Sequence, residues 1–296
     1  MPGSTIKGLV ESANGAGTCI GAWALRFEAQ EQGVEPQVLM ERMAGHFTVM
    51  QEAVERGLTE PIESRSGLVG GQAKILLNYS KQGNSLSDPN VVKTAALAIA
   101  AMEVNACMGR IVASPTAGSS GILPAVLIDV SERLQSSTEQ ICLALFCAGA
   151  IGRVIANNAS ISGAEGGCQA EVGSAAAMAA GAAVELAGGT PEQVAQAVAL
   201  MLKNVLGLAC DPVAGLVEIP CVKRNGMYAP MALLAADMAL AGIKSAIPVD
   251  EVIQALAEVG DALPATLRET AQGGLANTPT GRRLMLKLQD AGAIGQ

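Results

Sequence analysis

The chain has 296 residues, of which 50% are apolar, 16% charged and only 2% aromatic, with a formal net charge of −8. That length buries a real core in one large domain or two modest ones. The acidic balance, with no basic stripe carrying interleaved aromatics, argues against a nucleic-acid partner, which needs Lys and Arg to meet the phosphates. Strand-forming runs of β-branched and aromatic residues are scarce. The chain therefore reads as all-α: one mostly helical domain, its core built by close approach of helices with small faces.

In chain order, residues 4–33 read as one or two short helices broken at Asn14-Gly15-Ala16-Gly17. This segment, residues 1–34, stands apart from a catalytic domain over 35–296. A helix over 37–55 follows, with Val38, Leu39, Met43, Phe47, Met50 and Val54 at helical spacing and Pro36 at its start. A polar break over 63–71 precedes a helix over 72–81. Asp88-Pro89 reads as an N-cap with proline in the first turn, opening a long helix to about Val112. After the turn over 113–121, helices are expected over 122–133, 138–155 and 172–186. Thr190, Pro191 and Gln193 form a capping box for a helix over 191–206. Further helices are placed near 228–241 and 249–259, with a short one at the end. No internal repeat and no linker interrupts the pattern.

The opening MPGSTIKGLVE has no apolar signal core, so no secretory address is expected. The most apolar stretches, 141–151 and 172–187, fall short of the roughly 20 residues that span a bilayer and are rich in Ala and Gly. They read as buried helices, and no membrane partner is expected. Seven cysteines without regular spacing point to a reducing cytoplasm.

Four of those cysteines, Cys19, Cys107, Cys142 and Cys147, sit in helical, apolar company and read as small packed hydrophobes. Cys168, Cys210 and Cys221 differ. Each lies beside Gly or Pro in a stretch read as non-helical, with Glu165, Asp211, Lys223 and Arg224 nearby. Such turns stabilise thiolates and offer N–H donors to cluster sulfides. The spacing C-x41-C-x10-C is not specific, and structural zinc prefers four ligands, often in close pairs. The residues leave two readings open, a metal site or packed thiols in a colourless helical membrane or scaffold protein.

Longer strings carry more. They are SRSGLVGG (64–71), EVNACMGRIVASPTAGS (103–119), GAIGRVIANNASISGAEGGCQAEVGSAAAM (149–178), LKNVLGLACDPVAGLVEIPCVKRN (202–225) and TPTGRRL (278–284). With these strings the chain resembles the iron–sulfur-dependent L-serine dehydratases, in particular the α chain of the two-subunit bacterial form, from about residue 35 to 285. The resemblance implies a 4Fe–4S cluster on Cys168, Cys210 and Cys221 with one iron open, no pyridoxal phosphate, a small amino-acid substrate and a separate β chain in a hetero-oligomer. Consistent with this, no Gly-rich phosphate cradle precedes a helix. An open iron is a Lewis acid able to bind the β-hydroxyl of serine and ease its departure as a base removes the Cα proton.

Within that reading, Ser66, Ser119, Lys223 and Arg224 are the candidate catalytic residues. Ser64, Ser66, Gly67, Thr116, Gly118, Ser119, Asn158, Ser160, Glu165 and Asn225 are candidates for holding substrate. The hydroxyls of 64–67 and 114–119 either bind a carboxylate or cap the helices that follow. Lys223 and Arg224 either neutralise an anion or form a solvated charge pair. Glu165 and Glu218 are placed to orient an ammonium group, and His46 reads as structural. The general base is not identifiable. Val69, Ser120 and the stretch Gly226–Pro230 depart from the family pattern on loops expected to face the substrate, which leaves threonine, cysteine or another β-hydroxy analogue as alternatives to L-serine.

Overall fold

A helix built mainly of alanine, Ser174–Leu186 (SAAAMAAGAAVEL), runs through the middle of the protein with every residue but Glu185 buried. The computed structural model describes residues 3–293. Thirteen α-helices are found among them: α1 Ile6–Gly15, α2 Ile20–Gln32, α3 Pro36–Thr59, α4 Gln72–Lys81, α5 Pro89–Ala106, α6 Ile122–Leu134, α7 Thr138–Asn158, α8 Gly163–Gly166, α9 Ser174–Leu186, α10 Pro191–Lys203, α11 Cys221–Leu240, α12 Val249–Ala262 and α13 Pro279–Asp290. No strand occurs among the described residues, only an isolated parallel bridge between Cys210 and Arg268. The fold is all-α, as the composition predicts.

Helices α6, α7, α10 and α11 pack around α9, and α5 packs on α11, α4 and α3. Small residues make this possible. A Cβ at Gly57 would run into the Ala100 carbonyl of α5, and one at Gly152 would come within 2.8 Å of Met178 Sδ on α9. Enlarging an alanine of α9 would overpack such a seam, at a typical cost of about 1–3 kcal/mol. One core holds buried residues from Ile6 in α1 to Leu256 in α12. A small satellite core gathers Ala24, Leu25, Ala29, Leu39 and Phe146 between α2, α3 and α7. Helix α7 alone among the described residues is long and apolar enough to cross a membrane, and most of its apolar window is buried within the fold.

Most element boundaries follow local chemistry. Asp88 accepts from Asn90 N–H with Pro89 at the first turn of α5, and Thr190 and Gln193 make the reciprocal capping box of α10. Helix α5 ends at Ala106, not near Val112. Met108 turns left-handed (φ 57°) and Gly109 N–H returns to the Val104 carbonyl at 2.8 Å, which closes the helix. Helix α10 likewise stops at Lys203, three residues short of the expected end. Helix α11 begins at Cys221, seven residues before the expected start, so that cysteine opens a helix instead of sitting in irregular chain. Five residues after Cys168, Gln169–Gly173, form a wide π turn that leads into α9.

Candidate active site

The loop 159–168 leaves the end of α7 and carries Cys168 to the head of the π turn. Gly167 takes a positive φ of 76°, and a side chain there would meet Leu263 at 2.6 Å and the Leu208 carbonyl at 3.0 Å, so the loop approaches its neighbours at backbone distance. Cys210 is pinned by its own backbone: its N–H donates to the Leu267 carbonyl (2.8 Å) and its carbonyl accepts from Glu269 N–H (2.7 Å). Cys221 follows the cis Ile219–Pro220 peptide. The three cysteines are 1%, 2% and 5% exposed.

These three segments meet. Cys210 and Cys168 hydrogen-bond through their side chains, and Cys221 lies in the field of Cys168. Arg224, one turn into α11 from Cys221, joins them. Its guanidinium donates to the Ala209 carbonyl (2.7 Å), to Asp211 Oδ1 (2.8 Å) and to Cys168. Asp211 Oδ2 in turn accepts from Leu275 N–H at 2.8 Å, which ties in the C-terminal region. The hydrogen bond from Cys210, with help from Arg224, holds the Cys168 thiol below its ordinary range despite burial. The same bond and burial push Cys210 up, and burial with the charge of Cys168 pushes Cys221 up.

Three buried thiols on three separate segments of the core meet beside a single guanidinium, and the chemistry of that donor set fits a thiolate-held cluster. Among the described residues no three His, Cys, Asp or Glu side chains stand at the spacing of one shared ion. Ligands of one ion, with bonds of about 2.3 Å, must crowd more closely than thiolates that cap separate irons.

Two hydroxyl–carboxylate clusters flank the cysteines. In the first, Ser64 and Ser66 both donate to Glu218 Oε2, at 2.8 and 2.5 Å, and take backbone N–H bonds from Val69 and Leu68. Gly67 turns this loop at φ 70°. Lys223 is exposed, in the field of both Glu103 and Glu218. Its partial desolvation lowers its pKa, and the two carboxylates oppose the shift. Glu103, fully buried, accepts from Gln72 N–H at 2.7 Å at the start of α4, and burial raises its pKa.

In the second cluster, Thr116 Oγ1 donates to Glu171 Oε1 at 2.5 Å and lies 3.0 Å from Ser119 Oγ. A Cβ at Gly118 would sit 2.6 Å from Glu171 Oε1, so only glycine lets this turn close over the carboxylate. A Cβ at Gly163 would stand 2.9 Å from Cys210 Sγ, 3.1 Å from Glu269 Oε2 and 3.4 Å from Glu171 Oε2, which marks the point where these groups converge. Burial and the charge of Glu269 raise the pKa of Glu171.

The remaining candidates have other partners. Asn225 is fully buried and spent on the backbone: its amide donates to the Gly118 and Cys221 carbonyls and accepts from Gly121 N–H. Ser160 donates to Glu165 Oε2 at 2.6 Å at the exposed edge of the cysteine loop. Asn158 lies exposed at the end of α7 and donates to the Ser4 and Val154 carbonyls. Val69 and Ser120 are buried, Ser120 donating to the Ala117 carbonyl, and Gly226 packs on Ile99. Of the stretch Gly226–Pro230, half-buried Tyr228 reaches the field of Cys168. His46 is exposed on α3 and contributes nothing to the core.

Glu171 and Glu269 went unnoticed in the sequence. Glu171 had one signal, its place three residues after a loop cysteine. Glu269 had none: it stands at a strained φ of 63° and meets the site only because the Cys210–Arg268 bridge brings it there.

A family model described as serine dehydratase alpha chain matches residues 16–276. The chain is 56% identical over 270 residues, 90% of its length and 89% of the relative's, to a probable L-serine dehydratase alpha chain of Bacillus subtilis. It is 40% identical to the L-serine dehydratase alpha chain of Peptoniphilus asaccharolyticus, over 95% of this chain and 96% of that one. L-serine dehydratase 1 of Escherichia coli is 42% identical over 80% of this chain but only 53% of its own length. With geometry and likeness together, the chain belongs to the serine dehydratase alpha chain family.

Proposed function

We propose that this chain is the catalytic α subunit of a lyase that dehydrates L-serine and releases pyruvate and ammonia, with a 4Fe–4S cluster held by Cys168, Cys210 and Cys221. The observation that carries the reading is the convergence of these three buried thiols around Arg224. When bound, the cluster supplies a Lewis-acidic iron that draws electron density from the β-hydroxyl.

The protein's own groups do the rest. Arg224 balances the negative charge of the thiolates, and Asp211 holds Arg224 in place. Lys223 presents an ammonium to the substrate carboxylate, while Ser64 and Ser66, whose protons go to Glu218, turn oxygen lone pairs to the substrate's ammonium. Thr116, Ser119 and Glu171 face the substrate's amino and hydroxyl groups across the site. Asn225 is a positioning residue that braces the turn over 116–121 against α11. Loss of the Cα proton and of hydroxide yields aminoacrylate, which tautomerises to an imine and hydrolyses to pyruvate.

Val69, Ser120 and Gly226 pack inward, while Tyr228 of the stretch Gly226–Pro230 reaches the cysteines, and the relatives named L-serine dehydratase support serine over threonine, cysteine or another β-hydroxy analogue. The relatives named as alpha chains support a hetero-oligomer with a β chain. Seven free cysteines suit a reducing cytoplasm.

The test is anaerobic purification, with visible absorption and iron and sulfide analysis of wild type and Cys210→Ala. A brown wild type with about four irons per chain, and a colourless variant, are expected. A wild type that stays colourless after iron and sulfide reconstitution, even beside its β chain, overturns the reading.

A further inference from the structure

Helix α11 has an outer face without charge, although the exposed face of a surface helix is normally polar. Between Arg224 and Asp237 the stretch NGMYAPMALLAA holds no charged residue. Its small residues Ala229, Ala232, Ala235 and Ala236 turn into the core. Met227 and Leu234 are left 68% and 61% exposed, with Pro230 and Met231 part-exposed between them. Lys223, Met227, Met231 and Leu234 follow one another at spacings of three or four, so this stripe runs along one side of the helix from the substrate half of the site.

Helix α4 extends it. Both α4 and α11 pack on α5, and both begin near buried Glu103, which accepts from Gln72 N–H and lies in the field of Lys223. Ile75 and Tyr79, one turn apart on α4, are 71% and 40% exposed. Apolar side chains grouped in this way on two helices with a common support mark an interaction surface, whereas single exposed ones do not.

Chain lengths point to the occupant. The two relatives named as alpha chains are matched over 89% and 96% of their length, the Escherichia coli relative over only 53%. That longer relative therefore carries, outside the matched fold, a segment almost as long as the fold itself. A unit of that size packs stably by covering about 800 Å² on its partner, with an apolar centre in which Met and Tyr are common. The α4–α11 face offers such a centre, next to an exposed Lys223 that gains strength when water is excluded.

We propose that the β chain docks on the face formed by Met227, Met231 and Leu234 of α11 with Ile75 and Tyr79 of α4, and so closes the substrate half over Lys223. This rests on the α-subunit reading above.

The test titrates the full α chain, kept anaerobic, with purified β chain by calorimetry, as wild type, Met227→Glu and Leu234→Glu. Both side chains are exposed, so melting temperature and iron content should stay at wild-type values. Each substitution sets an unpaired carboxylate in the apolar centre and should weaken β binding by about tenfold or more. Val38→Glu, at an exposed position on α3, should bind as wild type does. Met227 should also be oxidised by peroxide in the free α chain and protected in the complex.

Wild-type affinity in both variants overturns the proposal, as does a Met227 oxidised equally fast in the complex. So does an α chain that pairs with itself through this face while the β chain binds the pair unimpeded, because the occupant would then be a second copy. A wild type that binds no β chain overturns it too. Failure of the dehydratase reading looks different: the complex is colourless and cannot be reconstituted, whether or not the variants lose the β chain. A brown complex whose variants bind at full affinity sinks the docking face alone.

Discussion

Lys223 and Arg224 are neighbours on α11, yet they serve opposite halves of the site. Arg224 turns to the cysteines, where its guanidinium makes directed bonds to Ala209, Asp211 and Cys168 and is 17% exposed. Lys223 turns to the 63–71 loop, where it is exposed in the field of Glu103 and Glu218 with no ion pair within bonding distance among the described residues. The planar fork of arginine suits a permanent structural node, whereas a flexible ammonium suits a group that must meet an arriving carboxylate. In the proposed enzyme, one half holds the inorganic group and the other holds the substrate.

Breaking the cysteine half should have the largest effect. Arg224→Met leaves Asp211 buried without its partner, a change that costs about 3 kcal/mol or more. Thermal melting should show that loss, and iron analysis should show that the variant retains little metal. If Arg224→Met keeps full iron content, the node is not what holds the thiolates together.

Breaking the substrate half should spare the metal. Glu218→Ala frees the Ser64 and Ser66 hydroxyls and should lower kcat/KM for serine on the order of a hundredfold, while iron content and the visible spectrum stay at wild-type values. Equal loss of iron in both variants would erase the distinction between the halves.

A pH titration sharpens the comparison further. Burial raises the folded-state pKa of Glu103, so its contribution to stability is full below the ordinary carboxylate pKa of 4.5 and is lost as pH rises through the higher folded value. Glu103→Gln keeps an acceptor for Gln72 N–H and abolishes that titration. The melting temperature of wild type minus that of the variant should therefore fall as pH rises from about 4.5 towards neutrality. A difference independent of pH would mean that Glu103 does not titrate in this range. The smallest effect is a control remote from both halves: Thr190→Ala removes the α10 cap and should cost about 1 kcal/mol, read by denaturant unfolding, with kcat unchanged.

Local chemistry made much of this legible. The Asp88-Pro89 and Thr190–Gln193 signals are short-range hydrogen-bond patterns, and both open the helices they announce. The helix over 72–81 matches at both ends. The early end of α5 escaped because it depends on Met108 taking a left-handed conformation, which nothing in that residue type announces. The early start of α11 escaped because Cys221, beside Pro220, and the stretch Gly226–Pro230 read as loop, yet Gly226 is what lets α11 pack against Ile99 of α5. Seven of the ten candidate substrate residues fall into the two hydroxyl–carboxylate clusters or brace one of them. Asn158 is spent on Ser4, and Ser160 and Glu165 bind each other at the exposed edge.

The sequence by itself determined the helical class, the small-residue packing and the family. Composition, periodicity and near-verbatim strings are one-dimensional properties. Only the tertiary structure decided which acids stand by the three cysteines, that Lys223 and Arg224 part company, and which face of α11 stays exposed. Those facts depend on contacts across long chain separations, such as Cys210 with Arg268 or Ser64 with Glu218. Such contacts form only when the helices pack, and local pattern carries no record of them.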